Sequence, residues 1–137
     1  MSSAAHFAGG CLCGHIRYEA TAQPVSAGYC HCRMCQRSSG APAQVWAQFP
    51  IEFFRYTTAE PEVYKSSSWG ERRFCPQCGS QLEFRLQKDP ATVDLNVPTL
   101  DDPGAVQPST HIWTKDQLPW FETTDDLPRH SDEGEAD

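Results

Sequence analysis

Seven cysteines in three short groups constrain this 137-residue chain more than any other feature. The groups are GGCLCG with Cys11 and Cys13, YCHCRMC with Cys30, Cys32 and Cys35, and RFCPQCG with Cys75 and Cys78. An odd number of thiols fits poorly with a closed set of disulfides. In a reducing compartment, clustered thiols bind metal or react more often than they form structural disulfides. We therefore expect a fold built around metal-thiolate sites.

Charge and hydropathy exclude two classes of partner. The first 14 residues show no basic region followed by an apolar run, and no segment approaches the roughly 18 apolar residues of a membrane span. We therefore expect a cytoplasmic protein with no membrane partner. The 11 Lys and Arg against 18 Asp and Glu give a net charge of -7, which disfavours binding to phosphate backbones. No nucleic-acid partner is expected.

The length and the C-terminal composition predict the domain organisation. We expect a single domain over residues 1–130. The remaining segment, SDEGEAD over residues 131–137, carries four carboxylates and no apolar residue larger than Ala. Such a segment cannot bury enough apolar surface to offset its ordering entropy, so it is predicted to be a disordered acidic tail.

Short segments rich in β-branched and aromatic residues, separated by Pro and Gly, predict a mainly β fold of short antiparallel strands. The predicted strands are HIRYEA (15–20), AQVWAQF (43–49), EFFRYT (52–57), EVYKSS (62–67), QLEFRL (81–86), TVDLNV (92–97) and a strand near Ile112. One short helix is expected over residues 33–38. Large aromatic side chains are expected to pack in the core or back on the body: Trp46, Phe49, Phe53, Phe54, Trp113, Trp120 and Phe121.

The segment CPQCG predicts a zinc knuckle. A C-P-x-C-G turn points both sulfurs the same way, and Gly79 permits the positive φ that lets backbone N–H groups bond to the thiolates. Cys11 and Cys13 are two positions apart, so in extended chain both sulfurs leave one face. They are plausible partners of Cys75 and Cys78 in a closed, structural four-thiolate site. A redox role for the C-x-x-C is disfavoured because no βαβ pattern surrounds it.

The middle group can form an open site. Cys30 and Cys32 share a face of extended chain and Cys35 lies one turn further, so the three sulfurs can converge on one ion and leave its fourth position free. Two alternatives remain. A zinc ribbon would pair the last two of these thiols with the knuckle, and a closed site would use His31 or a distant His111 as fourth ligand, although His31 in extended chain faces away from its neighbours' sulfurs.

The ordered segments GGCLCGHIRYEA, YCHCRMCQRSSGAP, ERRFCPQCGSQL and HIWTKDQLPWF resemble the family of glutathione-dependent formaldehyde-activating enzymes, to which centromere protein V is related. The resemblance implies the β-tent fold, several small curled antiparallel sheets pinned by zinc. It also implies two zinc sites. The implied ligands are Cys11, Cys13, Cys75 and Cys78 for a structural zinc, and Cys30, Cys32 and Cys35 for a catalytic zinc.

The resemblance further implies a zinc-dependent carbon-sulfur lyase related to S-(hydroxymethyl)glutathione synthase. Its expected partners are a small-molecule aldehyde and glutathione or another small thiol, joined in an S-hydroxymethyl-type adduct. The alternative is a zinc-stabilised, non-catalytic binding module, as the relationship to a chromosomal protein suggests. A sulfoxide reductase activity is disfavoured because every Cys is assigned to zinc and none follows Cys78 as a nucleophile.

Four arginines stand close to the cysteine groups in the sequence: Arg33, Arg37, Arg72 and Arg73. They could contact a substrate carboxylate or balance the negative charge of a three-thiolate zinc site. For Arg33 and Arg37, spaced i to i+4, the alternative is a solvated helix edge.

Overall fold

The computed structural model describes residues 5–133. In this part of the chain, ten strands and one α-helix are formed. The strands are β1 (Phe7–Gly10), β2 (Arg17–Ala20), β3 (Ser26–Cys30), β4 (Gln44–Pro50), β5 (Phe54–Tyr56), β6 (Glu62–Tyr64), β7 (Gly70–Phe74), β8 (Gln81–Leu86), β9 (Thr92–Asn96) and β10 (His111–Ile112). The helix α1 (Arg33–Ser39) connects β3 to β4.

The strands form two sheets. The smaller has the order β1-β2-β5, and the larger has the order β10-β3-β4-β9-β8-β7-β6. Every pair is antiparallel except β10 with β3, where His111 lies opposite Tyr29 in parallel register. Parallel neighbours cannot be joined by a tight turn, and here the whole segment over residues 31–110 lies between β3 and β10. The mainly β fold with one short helix is confirmed, with this parallel pair as a departure from the expected antiparallel strands.

Three strands escaped the sequence analysis, namely β1, β3 and β7. Their sequences are FAGG, SAGYC and GERRF. These segments contain Gly, Ala and Glu, which are depleted in strands, and they show no alternation of apolar and polar residues. Pairing with neighbours on both sides holds β3 and β7 in the larger sheet. All seven predicted strand segments contain a strand, and the predicted helix extends one residue further, to Ser39.

The core lies where the two sheets face each other. Its fully buried side chains come from both sheets and the turn before β2: Ile16, Tyr18, Phe49, Leu82, Val93 and Leu95. Two cross-sheet contacts link them, the Phe7 and Phe49 rings at 5.5 Å and the Tyr56 hydroxyl donating to Glu83 at 2.5 Å. Burying these apolar side chains supplies most of the driving force for folding.

The prediction that the large aromatic side chains pack in the core or against the body is wrong for Phe53 and Trp120. Phe49 and Phe54 are buried, whereas Phe53 is exposed at the end of the short 3-10 helix Ile51–Phe53 that precedes β5. Trp120 lies in a turn and exposes 72% of its surface, so it does not pack back on the body. Trp46, Trp113 and Phe121 are half-buried.

The side of the larger sheet that faces away from the core is the outer face. Cross-strand partners share a face, so the register places on it a row of polar and aromatic side chains. The row comprises Cys30, Gln44, Trp46, Gln48, Asp94, Asn96, Phe84 and Arg72. The outer face therefore extends from Cys30, the first residue of the middle cysteine group, across β4, β9 and β8 to Arg72 of β7.

The C-terminal segment runs back along the body. The backbone oxygens of Ser131 and Asp132 accept hydrogen bonds from the amides of Lys115 and Trp113 at 3.4 and 2.8 Å. Residues 131–133 of the predicted tail are described, and residues 134–137 lie outside the described residues. Within residues 5–133, no helix combines the length and the apolar character needed to cross a bilayer.

One carboxyl on the outer face titrates far from its usual range. Asp94 lies between Gln48 of β4 and Phe84 of β8. Burial raises the pKa of Asp94 to about 7, and the negative charge of Asp89 acts in the same direction. The unfolded chain loses this proton near pH ~4. Because the folded state holds the proton longer, this group makes stability fall as pH rises from about 4 to about 7.

Asp94→Asn is expected to raise the free energy of unfolding by about 1.5 kcal/mol at pH 5, where only the unfolded wild-type carboxyl is ionised, and by about 4 kcal/mol at pH 8, where the folded wild type must carry the buried charge. Urea unfolding of both proteins at each pH measures the difference, with the exposed Asp102→Asn as control. The same difference at both pH values would contradict the expectation.

Candidate metal centres

The four-cysteine cluster consists of Cys11, Cys13, Cys75 and Cys78, whose sulfurs all lie within 4.8 Å of one another. Cys11 and Cys13 sulfurs are 3.7 Å apart, and those of Cys13 and Cys75 are 3.8 Å apart. Four sulfurs placed tetrahedrally at ~2.3 Å from zinc are about 3.8 Å apart. The spacing thus fits a four-coordinate zinc.

Hydrogen bonds from the backbone and from Ser80 stabilise the thiolate form of Cys75 and Cys78. The amides of Gln77 and Cys78 donate to the Cys75 sulfur at 3.3 and 3.4 Å. Gly79 adopts φ +81°, the left-handed conformation predicted for the knuckle, and its amide closes the turn on the Cys75 carbonyl at 2.8 Å. Hydrogen bonds from Ser80 lower the pKa of Cys78 to about 5. The turn therefore favours metal binding.

The four-cysteine cluster also connects the two sheets. Cys11 follows β1 of the smaller sheet, and Cys75 follows β7 of the larger sheet. Beside them, the Leu12 amide donates to the Ser80 hydroxyl at 3.0 Å. An ion held here would cross-link segments separated by more than 60 residues.

The three-cysteine cluster consists of Cys30, Cys32 and Cys35, again with all sulfurs within 4.8 Å of one another. Cys30 ends β3, Cys32 is the N-cap of α1, and Cys35 lies in the first turn of the helix. The Cys32 sulfur accepts the Cys35 amide at 3.2 Å, and the Cys30 and Cys35 sulfurs are 3.3 Å apart. The sulfurs of Cys32 and Cys35 thus lie with Cys30 and not with Cys75 and Cys78. This grouping differs from the one that a zinc ribbon would require.

The pKa values of the three thiols are shifted in different directions. Hydrogen bonds from the Cys30 and Cys35 thiols lower the pKa of Cys32 to about 2, and the positive charge of Arg72 contributes in the same direction. Interaction with Cys32, and then with Cys35, raises the pKa of Cys30. Because the pKa values of Cys30 and Cys35 are raised, a divalent cation that binds here would displace protons to gain three thiolate ligands.

No histidine nitrogen joins the three sulfurs among the described residues. His31 Nε2 lies 2.9 Å from His111 Nδ1, and His111 Nε2 lies 3.1 Å from Asp125 Oδ1. Because a carboxylate only accepts, His111 carries its proton on Nε2 and accepts from His31 through Nδ1. The Tyr29 ring stacks on His111 at 4.5 Å. Both histidines are fully buried, and His111 uses both ring nitrogens in this chain of hydrogen bonds. His31 Nδ1 has no hydrogen-bond partner among the described residues, but it does not lie with the three sulfurs, which argues against either histidine as fourth ligand.

Side chains around the cluster fix its position. Gln36 of α1 is buried and donates to the carbonyls of His31 and Asp116 at 2.8 and 3.1 Å, which ties the helix to the body. On the outer face, Gln44 donates to Asn96 Oδ1 at 2.9 Å. The cluster thus sits between a short anchored helix and the outer face.

The four arginines named from the sequence separate into three kinds. Arg33 and Arg37 are exposed on α1, as the solvated-edge alternative predicts. Arg73 pairs with Glu71 at 3.2 Å. Arg72 is buried, with 6% of its surface exposed, and lies on the outer face.

A family model described as "Glutathione-dependent formaldehyde-activating enzyme" matches residues 6–116, a range that includes both cysteine clusters. The chain belongs to this family. It is 33% identical over 86 residues to an uncharacterized lyase of Schizosaccharomyces pombe, with 57% of this chain and 56% of the relative covered. The chain therefore spans about half the length of the curated relative that it matches.

A solved structure shares the fold. The crystal structure of a Rhodobacter sphaeroides protein superposes with a TM-score of 0.60 at 21% identity, covering 89% of this chain and 98% of the other. At this identity, the likeness concerns the fold alone. The β architecture of this family member is thus found in an independently solved structure.

Sequence reasoning missed Asp125. It lies in an irregular C-terminal segment with no motif, and its contact with His111 depends on β10 pairing with β3. The spacing of residues in the chain gives no sign of this contact. Its carboxylate accepts a hydrogen bond from the ring of the buried His111.

Asp125→Ala is expected to lower the free energy of unfolding of the zinc-loaded protein by about 1–3 kcal/mol, because it leaves the buried His111 Nε2–H without its carboxylate. Urea unfolding near pH 7.5 measures the loss. The neighbouring, exposed Asp126→Ala is the matched control and should change stability by less than about 0.5 kcal/mol. Equal losses in the two variants would show that the His111 contact contributes nothing.

Proposed function

We propose that this protein is a zinc-dependent carbon-sulfur lyase that forms or cleaves an S-hydroxymethyl-type adduct between a small aldehyde and a thiol such as glutathione. One observation carries the proposal: three sulfurs converge with no fourth protein ligand atom among the described residues, whereas the other four cysteines form a complete set. Family membership and the lyase description of the yeast relative support the reaction class.

The proposal assigns different roles to the two clusters. Cys30, Cys32 and Cys35 would hold the catalytic zinc, and the four-cysteine cluster would hold the structural zinc. A zinc ion held by these three cysteines would leave its fourth position for a substrate thiol and would lower the pKa of that thiol. A soft thiol suits a soft thiolate site.

The chain's own residues make the cluster both rigid and accessible. Cys30 is buried at the end of β3, whereas Cys32 and Cys35 are partly exposed. Strand β3 and the anchored helix fix the three sulfurs, and sites on such elements are held more accurately than sites on loops. The partial exposure of Cys32 and Cys35 therefore lets a small thiol approach from the side of α1.

The reaction balances without an oxidant or reductant. The thiol sulfur bonds to the aldehyde carbon, the carbon-oxygen double bond becomes a single bond, and the oxygen takes the proton that the thiol gave up. Cleavage is the reverse. We further infer that the protein acts in the cytoplasm as one domain over residues 1–130, with no membrane or nucleic-acid partner. The net charge of -7 supports the last of these points, because it disfavours binding to phosphate backbones.

A non-catalytic, zinc-stabilised binding module is the second candidate. It is favoured by exposed apolar side chains on and beside the edge strand β6, where Val63, Tyr64 and Trp69 expose 46%, 60% and 50% of their surfaces. Such side chains occur at protein-protein interfaces. The two candidates differ in whether a thiol binds at the three-cysteine cluster.

Metal content tests the division of roles. We expect about two zinc ions per wild-type chain, and about one for Cys35→Ser, which should stay folded because the four-cysteine cluster remains intact. Cys75→Ser should lose zinc and also unfold at a much lower urea concentration. Elemental analysis with circular dichroism measures both properties. One zinc in the wild type, or two in Cys35→Ser, would contradict the assignment.

Exchange kinetics test the activity. Addition of the zinc-loaded protein to ¹³C-formaldehyde and glutathione should accelerate exchange between free aldehyde and adduct at least about tenfold, as measured by NMR saturation transfer. Cys35→Ser at the same concentration should not exceed the buffer rate. A wild-type protein that carries two zinc ions but leaves the rate unchanged would favour the binding module.

A further inference from the structure

One buried residue joins two of the three cysteines in the three-cysteine cluster. His31 lies between Cys30, which ends β3, and Cys32, which is the N-cap of α1. It is completely buried. Because each of its two neighbours in the chain carries a sulfur of the cluster, a shift of the His31 backbone moves both sulfurs. The contacts that fix His31 therefore also fix the geometry of the cluster.

The backbone of His31 is held on both sides. Its amide donates to the Ile112 carbonyl of β10 at 3.1 Å, and its carbonyl accepts from the Gln36 side chain of α1 at 2.8 Å. These bonds connect the peptide to a strand and to a helix. They do not orient the imidazole ring, which depends on contacts of its own.

The ring of His31 is oriented by a chain of side chains that ends at Asp125. His31 Nε2 donates to His111 Nδ1 at 2.9 Å, and His111 Nε2 donates to Asp125 Oδ1 at 3.1 Å. A carboxylate only accepts, so Asp125 determines which nitrogen of His111 carries the proton and in which direction both bonds run. Without this carboxylate, His111 can hold its proton on either nitrogen, and the His31 ring loses its fixed donor role.

The C-terminal segment places Asp125 at the end of this chain. Its Oδ1 also accepts the Leu127 amide at 3.0 Å. The same segment pairs with β10, where the His111 amide donates to the Pro128 carbonyl at 2.9 Å. The match to the family model ends at residue 116. Family membership therefore assigns no role to Asp125.

We propose that Asp125 is a positioning residue for the three-cysteine zinc site and that, through His111 and His31, it holds the Cys30 and Cys32 sulfurs in the arrangement that binds the ion. This inference rests on the proposed function, in which these cysteines hold zinc. Residues that support metal ligands from outside the coordination shell typically change metal affinity by about 10- to 100-fold. The C-terminal segment thus contributes to metal binding without supplying a ligand.

A purely structural role for Asp125 gives a different result. If its contact with His111 only stabilised the domain, its loss would make unfolding easier and would favour neither cluster over the other. A positioning role weakens the three-cysteine site alone. The four-cysteine cluster of the same molecule is therefore an internal reference.

Zinc affinity and cadmium NMR of the folded protein test the inference. Competition with a chromophoric chelator measures both zinc affinities, and Cys35→Ser identifies the one that belongs to the three-cysteine cluster. We expect Asp125→Ala to weaken zinc binding there at least about tenfold, and at the four-cysteine cluster less than about twofold. In the cadmium-loaded protein, the ¹¹³Cd resonance of the three-cysteine cluster should shift or broaden, while the other resonance stays in place.

Two further variants and a control make the test specific. Asp125→Asn keeps an acceptor oxygen for the His111 N–H and should hold zinc affinity within about threefold of the wild type. His111→Phe keeps a ring beside Tyr29 but removes both nitrogens, so it should reproduce the selective loss. Tyr18→Phe removes a different buried hydrogen bond, between Tyr18 and Thr99 at 2.6 Å, and should leave both zinc affinities unchanged.

The possible failures are distinguishable. Unchanged zinc affinity in Asp125→Ala, an equal loss at both clusters, or a loss in Asp125→Asn as large as in Asp125→Ala would overturn the positioning role and leave the proposed function standing. A wild-type protein that binds only one zinc would overturn the assignment of the three-cysteine cluster, on which the proposed function and this inference both depend.

Discussion

The meeting of Cys11 and Cys13 with Cys75 and Cys78 is the constraint on which the rest of the architecture depends. It joins the end of β1 in one sheet to the end of β7 in the other. In zinc peptides, metal binding supplies on the order of 10 kcal/mol of folding free energy, comparable to the stability of a small domain. A metal ion at this cluster would therefore let a short chain with a modest core hold its two sheets together.

That constraint also sets the chemistry of the remaining thiols. With four cysteines used between the sheets, three remain for the second cluster, and the neighbouring histidines are bonded to each other and to Asp125. The fourth position of an ion there would be left to a substrate.

The cysteine spacing predicted more of this site than of the fold. The positive φ of Gly79, the convergence of the middle group and the helix at Arg33 all follow from local sequence, and the structure confirms them. The ribbon alternative could only be rejected in three dimensions, because spacing alone does not say which pairs meet. The contact between His111 and Asp125 and the burial of Arg72 depend on strand order, which no local pattern encodes.

X-ray absorption at the zinc edge tests the central claim, an open three-sulfur zinc beside a closed four-sulfur zinc, most directly. In a thiol-free buffer, the two-zinc protein should show an average of about 3.5 sulfur ligands at ~2.3 Å per zinc and a light-atom ligand to complete the shell. Saturating glutathione should raise the average to about 4. An average of about 4 before any thiol is added, or an imidazole scattering pattern that glutathione does not change, would contradict the account.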